Sequence, residues 1–363
     1  MWNSLGAPPS ANEIEITVLG PGYGESVVVH LGNGEWLIVD SCVDSSDSTK
    51  PVAPLLYLSK LGVNVDQAVK YIVVSHWDDD HIKGISEVVE ACSHADFICS
   101  EVFPNEKFTS FVEAISIGEL KTDGGNVKNI RKVLHHLHER NRPIKKAGPA
   151  RRLCSNPIIT CWSPSDFEQQ EFLKHLAQMH PKAKEALRKA IPIDSNLTSV
   201  VLTIEWPDIS VLLGADMESS SNTLCGWSAV VSEAMKIGVA PADLVKIPHH
   251  GSITGHDDLM WNNLLNDKPV SVVTPFGKGS YATRPPTKGD VSRIRLKSRK
   301  MYITARHTQP KQPKMELAVQ RSLREGGVTL TTKKIPMGIV RHRRVTGAKV
   351  WDCELFGAAF CTK

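Results

Sequence analysis

Four side chains able to hold a metal ion, His76, Asp78, Asp80 and His81, stand within six residues. They lie in the run Tyr71-Ile72-Val73-Val74-Ser75-His76-Trp77-Asp78-Asp79-Asp80-His81-Ile82-Lys83-Gly84. Imidazole and carboxylate are the ligands that Zn²⁺, Mn²⁺ and Fe accept. The apolar and aromatic residues before Ser75 read as a short buried strand, and a turn at its end aims several side chains into one cleft. A buried cluster this acidic repels itself unless cations sit inside it. A polar turn ahead of a helix starting at Ile82, with Asp80 near its N-terminus, explains one aspartate but not the set.

Two later strand ends carry residues of the same kind. Leu197 to Glu205 and Ile209 to Leu213 read as a hairpin across Trp206-Pro207-Asp208, ending at Gly214-Ala215-Asp216. Asp243 to Ile247 reads as a strand followed by Pro248-His249-His250-Gly251-Ser252. Taken alone, Asp216 is a helix N-cap. Two adjacent histidines after an apolar strand, His249 and His250, form a second metal-type cluster.

The elements that must position these ends alternate between strand and helix. Ile14–Leu19, Val27–Leu31 and Trp36–Val39 are expected strands, joined by a glycine-rich turn at 20–26 and an Asn33-Gly34 hairpin, and ending at Asp40. Pro51–Leu61 and Ile82–Cys92 are expected helices, and Ala95–Ser100 a strand. Later strands are expected at Ile158–Trp162, Val270–Thr274, Tyr302–Ala305 and Gly327–Thr332, with a terminal hairpin from Gly338–Thr346 and Lys349–Leu355. Such alternation gives an α/β layered fold. Val127–Arg140 is a helix whose His135-His136-Leu137-His138 run is a solvated face, because those positions do not share one side. His175 and His180 read the same way.

The chain has 363 residues, 41% apolar and 23% charged, ordinary values for a soluble globular protein. No apolar run is long enough to span a membrane, and Met1–Asn12 lacks the features of a signal peptide. Eight scattered cysteines without a Cys-x-x-Cys pair argue against structural zinc or a disulfide framework, and fit a reducing, cytoplasmic setting. The net charge of +4 is uneven: 278–349 holds 19 Lys+Arg against 3 Asp+Glu, and 121–152 holds 10 against 2. An acidic body with two basic segments suits a polyanionic partner, or simply a solvated surface.

The spacing His76-x-Asp78-x-Asp80-His81 resembles the signature of metallo-β-lactamase-fold hydrolases. The aspartate at position 78, Asn196-Leu197-Thr198-Ser199-Val200-Val201-Leu202, Leu212-Leu213-Gly214-Ala215-Asp216 and Pro248-His249-His250-Gly251-Ser252 together resemble the soluble hydrolase domain of ComEC-type DNA-uptake proteins. The likeness spans about Glu13 to Tyr302. It implies a single domain over 1–363, a four-layer αβ/βα sandwich, with a basic insertion at about 103–157 and a basic C-terminal extension at about 303–363. It also implies two divalent ions, Zn²⁺ or Mn²⁺. His76, Asp78 and His250 or Asp216 would hold one, and Asp80, His81 and the bridging Asp216 the other. Asp80, Asp216 and His250 would carry catalysis through a hydroxide activated between the ions.

His249, Asn196, Asp194, Ser252 and Arg284 would support the ligands or touch substrate. The chain departs from the family in Glu25 of Gly22-Tyr23-Gly24-Glu25-Ser26 and in the extra Ala215. Thr283-Arg284-Pro285 stands where a Tyr-Gly-His-Pro is usual, and there is no third histidine between His81 and Asp216. The implied activity is phosphodiester cleavage in nucleic acid, with Lys145, Lys146, Arg151 and Arg152 as the phosphate track. Alternatives are hydrolysis of a small phosphodiester, thioester or lactone, and a nucleic-acid-binding or scaffold protein with a degenerate metal site. No membrane partner is expected.

Overall fold

A computed structural model describes residues 1–20, 24–116, 126–179, 195–277, 283–306, 322 and 336–362. The strand expected at Gly327–Thr332, along with Gly22, Tyr23, His180 and Asp194, lies outside the described residues.

Period-two alternation builds two sheets whose inner faces meet. The strands are β1 Glu13–Gly20, β2 Ser26–Gly32, β3 Glu35–Val39, β4 Val69–Val74, β5 Asp96–Ser100, β6 Ile144–Ala147, β7 Arg151–Ser155, β8 Ile158–Cys161, β9 Leu202–Trp206, β10 Ile209–Leu213, β11 Ala242–Lys246, β12 Leu265–Val273, β13 Lys300–Ile303, β14 Gly338–Val345, β15 Asp352–Gly357 and β16 Phe360–Cys361. One sheet has the order β15-β14-β1-β2-β3-β4-β5-β6, and the other β16-β13-β12-β11-β10-β9-β8-β7. Ile14, Ile16, Val18, Val27 and Val29 of the first face Val211, Leu213, Leu244 and Val272 of the second. Burying each such side chain contributes ~1.5–3 kcal/mol.

The residues between the inward ones turn outward and are covered by helices. These are α1 Ala53–Lys60, α2 Val65–Ala68, α3 Asp79–Ile82, α4 Ile85–Ala91, α5 Glu106–Ser116, α6 Asn126–Glu139, α7 Asp166–Met179, α8 Gly226–Ile237, α9 Asp258–Asn263 and α10 Lys288–Lys297. Tyr57, Val88, Phe108, Val133 and Phe172 pack on the outer face of the first sheet. Trp227, Val230, Met260 and Ile294 pack on the outer face of the second. The layers run helix, sheet, sheet, helix, the expected αβ/βα sandwich.

Several boundaries differ from expectation. The helix expected over Ile82–Cys92 is split, because Gly84 takes φ +85 between α3 and α4. Strand β9 starts only at Leu202, since residues 195–198 form a helical turn beside Asp78. The stretch 103–157, irregular by sequence, contains α5, α6 and the edge strands β6 and β7; its apolar positions Phe108, Phe111, Ile130, Val133 and Leu137 all join the core. Strand β14 sits inside the first sheet, paired with β1 from Glu13↔Val345 to Gly20↔Gly338.

His342 of β14 is buried between Tyr302 and Trp351, with ring centroids 5.0 and 6.3 Å away. Neither ring nitrogen has a hydrogen-bond partner. Burial, helped by Lys300, pushes its pKa down to about 3. The unfolded chain therefore binds this proton first as pH falls below the ordinary value near 6.5, and stability is lost between that pH and about 3. His342→Phe should abolish this component. Relative to wild type, denaturant titrations at pH 5 and 7.5 should show about 2 kcal/mol less acid-induced loss. An identical loss in both proteins would contradict the assignment.

Candidate metal centre

The parallel strands β3, β4 and β10, β11 end at the same edge of the sandwich, where open α/β sheets bind ligands. Beyond β4, Trp77 turns into the helical layer and meets Phe108, Phe111 and Phe172 edge-on at 5.3, 5.9 and 6.4 Å. Anchoring Trp77 on that side leaves its neighbours His76 and Asp78 for the other. The chain then makes the single turn α3, which carries Asp80 and His81. Gly24 packs beneath this turn at φ +109, where a Cβ would lie 3.1 Å from the Asp80 carbonyl oxygen. The next residue, Glu25, donates its N–H to that oxygen at 2.8 Å.

Each of three imidazoles is held by Nδ1 and presents Nε2 to one centre. His76 Nδ1 meets Ser75 Oγ at 3.0 Å, His81 Nδ1 meets Asp40 Oδ2 at 2.8 Å, and His250 Nδ1 meets the Thr274 carbonyl at 3.0 Å. On the Nε2 side, Asp216 Oδ2 lies 4.0 Å from His76, 3.4 Å from His81 and 3.3 Å from His250. Asp80 Oδ2 is 3.0 Å from His250 Nε2 and 3.8 Å from His81 Nε2. Asp78 stands at the mouth, with Oδ2 3.9 Å from His76 Nε2 and Oδ1 accepting from Ser195 Oγ at 2.6 Å. His249 and His250 both take left-handed backbone angles, at φ +45 and +52, which cost on the order of 1–3 kcal/mol each and turn the His250 ring inward.

Charge explains the protonation of the cluster. Burial works against an imidazolium at His250, but Asp216 and Asp80 override it and raise its pKa to about 10. Burial is likewise overridden at His81, by Asp216 and Glu25. His76 goes the other way, to about 3, through burial and the neighbouring His81 charge. The acids of this centre hold protons on two imidazoles where cations would otherwise satisfy them, so ion binding releases protons.

The residues fit a metal. His76 Nε2 and His81 Nε2 are buried polar atoms without a hydrogen-bond partner, and both face Asp216 Oδ2. Glu25, His81, Asp216 and His250 offer ligand atoms within 4.8 Å of one another. However, Glu25 approaches the Nδ1 sides of His81 and His250, at 3.8 and 3.7 Å, and its own oxygens are taken by Lys246 and the Thr274 hydroxyl. It stands behind the imidazoles rather than among the ligands.

The other expected residues spread around this core. His249 turns away to Glu218, at 2.6 Å, and to Thr254. The Asn196 amide donates to the same Glu218 at 3.5 Å. Ser252 accepts from the Thr254 N–H and caps a short turn. Arg284 is half-buried on the loop whose Pro285 carbonyl accepts from Phe276 N–H, next to the His250 ring. Asp216, read in isolation as an N-cap, precedes no helix. Lys145 and Lys146 are paired with Asp96 and Glu101 at 2.6 and 2.7 Å, whereas Arg151 and Arg152 are exposed. Asp40, Glu25, Ser75, Thr274 and Lys246 escaped the site reading. Asp40 left a trace, as an aspartate ending an apolar strand, and Glu25 another, as the residue standing where the family's turn has an aspartate.

Residues 19–141 match the family model described as Metallo-beta-lactamase superfamily. No curated protein matches the chain. Among solved structures it is similar to the metallo-β-lactamase fold protein YhfI from Bacillus subtilis, at 13% identity over 80% of this chain and 95% of that one, TM-score 0.40. It is similar also to the lactamase MIM-1 from Novosphingobium pentaromativorans, at 15% over 68% and 82%, TM-score 0.32. A third is MEM-A1, a subclass B3 metallo-β-lactamase from a soil metagenome library, at 12% over 70% and 84%, TM-score 0.34. With TM-scores below 0.5 these likenesses add nothing to the fold. The strand order and the family match give it: a metallo-β-lactamase sandwich.

Asp40 accepts from Ser75 N–H, Ser75 Oγ and His81 Nδ1, and so orients one imidazole directly and another through Ser75. Asp40→Asn should weaken zinc binding by roughly 10–100-fold, the usual effect of losing such a support. Competition with a chromophoric chelator measures it, and wild-type affinity in the variant would remove Asp40 from this role.

Proposed function

We propose that the protein is a metal-dependent hydrolase that cleaves phosphodiesters in nucleic acid. One observation carries the hydrolase part: three buried imidazoles fixed through Nδ1 converge by Nε2 on the carboxylates of Asp80 and Asp216. His76, Asp78 and Asp216 would hold one divalent ion, and Asp80, His81, His250 and Asp216 a second. Such ions supply Lewis acidity and lower the pKa of water. Carboxylate-rich ligands admit Mn²⁺ as well as Zn²⁺. The chain's own work is to fix those ligands, exclude bulk water from the buried side and keep Asp80 against His250.

The nucleic-acid part is supported by the ComEC-type motifs and by where basic residues fall. Val74, Cys99 and Lys146 are neighbours across three adjacent strands, which puts Lys146 roughly 10 Å from the end of β4. Arg151, Cys161, Leu202 and Leu213 are neighbours across four, so Arg151 is roughly 14 Å from the end of β10. Both residues lie at the edge of the sandwich that carries the centre, a span of about three to four nucleotides at 3.4 Å each. The ion pairs of Lys145 and Lys146 are exposed and worth about 0–1 kcal/mol, so phosphate can displace them. The same pairs favour the second reading, hydrolysis of a small phosphodiester, thioester or lactone, if they persist.

Asp80→Ala should remove cleavage and leave nucleic-acid affinity within a few-fold of wild type, because binding and bond cleavage use different residues. Both proteins are to be assayed with Mn²⁺ and with Zn²⁺ on labelled single-stranded DNA, duplex DNA and RNA. Equal cleavage by both would defeat the mechanism. No cleavage by wild type, with turnover of a small phosphodiester, thioester or lactone, would leave the second reading. Reversing Arg151 and Arg152 to Glu should weaken DNA or RNA binding and flatten its salt dependence by about two phosphate contacts. An unchanged salt slope would make these arginines plain surface.

A further inference from the structure

A fully buried ammonium stands among the acids of the centre, and no ligand role accounts for it. Lys246, the last residue of β11, is 1% exposed. Its Nζ pairs with Glu25 Oε1, donates to the Ala215 carbonyl at 3.0 Å, and lies 3.8 Å from Asp216 Oδ1. Glu25 is itself fixed, through its N–H on the Asp80 carbonyl and through Thr274 Oγ1, which donates to its other oxygen.

Stability does not require such a pair, since apolar residues of similar volume fill a site like this about as well. Its placement suggests a different use. Asp216 has two oxygens in unlike surroundings: Oδ2 faces three imidazole nitrogens, and Oδ1 faces Lys246. Lys246 also holds the carbonyl of Ala215, the residue before Asp216, which takes a left-handed φ of +46. One ammonium thus stands beside the Asp216 side chain and holds the backbone that leads into it.

We propose that the Glu25–Lys246 pair is a positioning device that restricts Asp216 to a single ion-facing oxygen, Oδ2. The proposal rests on the metal-centre reading above. Lys246 attracts Oδ1 across 3.8 Å and sets the backbone, while Glu25 anchors Lys246 and balances its charge. Without the pair, Asp216 turns freely and both its oxygens compete for the ions.

The test uses the full chain as wild type, Glu25→Gln, Lys246→Met and the double variant E25Q/K246M. Zinc affinity is measured by chelator competition, coordination by the visible spectrum of the Co²⁺-substituted protein, and stability by thermal melting. Glu25→Gln removes the acid nearest Lys246, Lys246→Met leaves Glu25 without its cation, and each should melt lower. The double variant removes both charges, and should melt within a few degrees of wild type. It should nevertheless bind zinc about tenfold or more weakly and show shifted Co²⁺ bands. Wild-type or tighter zinc affinity in the double variant, or an unshifted Co²⁺ spectrum, would overturn the proposal and leave the pair purely structural. Should the double variant not fold, Glu25→Asp carries the same test: it keeps both charges and shortens the anchor by one methylene. Weaker zinc binding with shifted bands supports the proposal, and wild-type behaviour overturns it. Wild type that binds no stoichiometric zinc or cobalt would overturn the metal-centre reading itself, and this proposal with it.

Discussion

The approach of one carboxylate oxygen, Asp216 Oδ2, to the Nε2 atoms of His76, His81 and His250 is the constraint on which the rest of the structure depends. Those three imidazoles come from two sheets and would otherwise have no reason to meet. Bringing them beside Asp80 and Asp216 concentrates negative charge away from water, which is unfavourable unless cations or protons compensate. Without ions, the raised proton affinities of His81 and His250 and the ammonium of Lys246 provide that compensation. The arrangement is poised for cations: the ring nitrogens face inward, and the opposite nitrogens are already engaged.

The sandwich delivers this geometry through its strand ends. Parallel pairing of β3 with β4 and of β10 with β11 brings Asp40, Ser75, Asp216 and His250 to one edge. The apolar inner faces fix the register, because a one-residue slip would turn each buried set toward the wrong layer. Trp77 adds a local pin: its ring is held by three phenylalanines, so the ligands on either side of it cannot rotate away. The proposed phosphate contacts, by contrast, need side chains that only lie near the edge. A phosphate contact tolerates an exposed, mobile arginine, whereas an ion centre does not.

Much of this was legible in the sequence, for a physical reason. Metal ligands are drawn from few residue types, and strand ends are marked by apolar runs, so His76 to His81 and the His249-His250 pair announce themselves, whereas Asp216 reads as a ligand only through the family resemblance. The layered fold followed from the alternation of such runs. What did not show were partners distant in sequence. Glu25 reads as part of a glycine turn and Lys246 as a strand residue, and only the packing of two sheets joins them across 221 positions. Asp40 and Thr274 were hidden in the same way, since nothing local says that an aspartate at a strand end will meet His81. The stretch 103–157 looked irregular because its basic surface masks the spaced apolar residues that bury α5 and α6. Basic composition likewise suggested four free phosphate contacts, and two of those side chains turn out to be paired with Asp96 and Glu101.

The central claim is that these strand ends form an ion centre. Its most direct test is metal content per chain, by mass spectrometry of protein equilibrated with Zn²⁺ or Mn²⁺ and then desalted, comparing wild type with His76→Ala/His81→Ala. The account predicts one to two ions in wild type, from ligand sets that share Asp216, and none in the double variant. Stoichiometric metal retained by the double variant would contradict it.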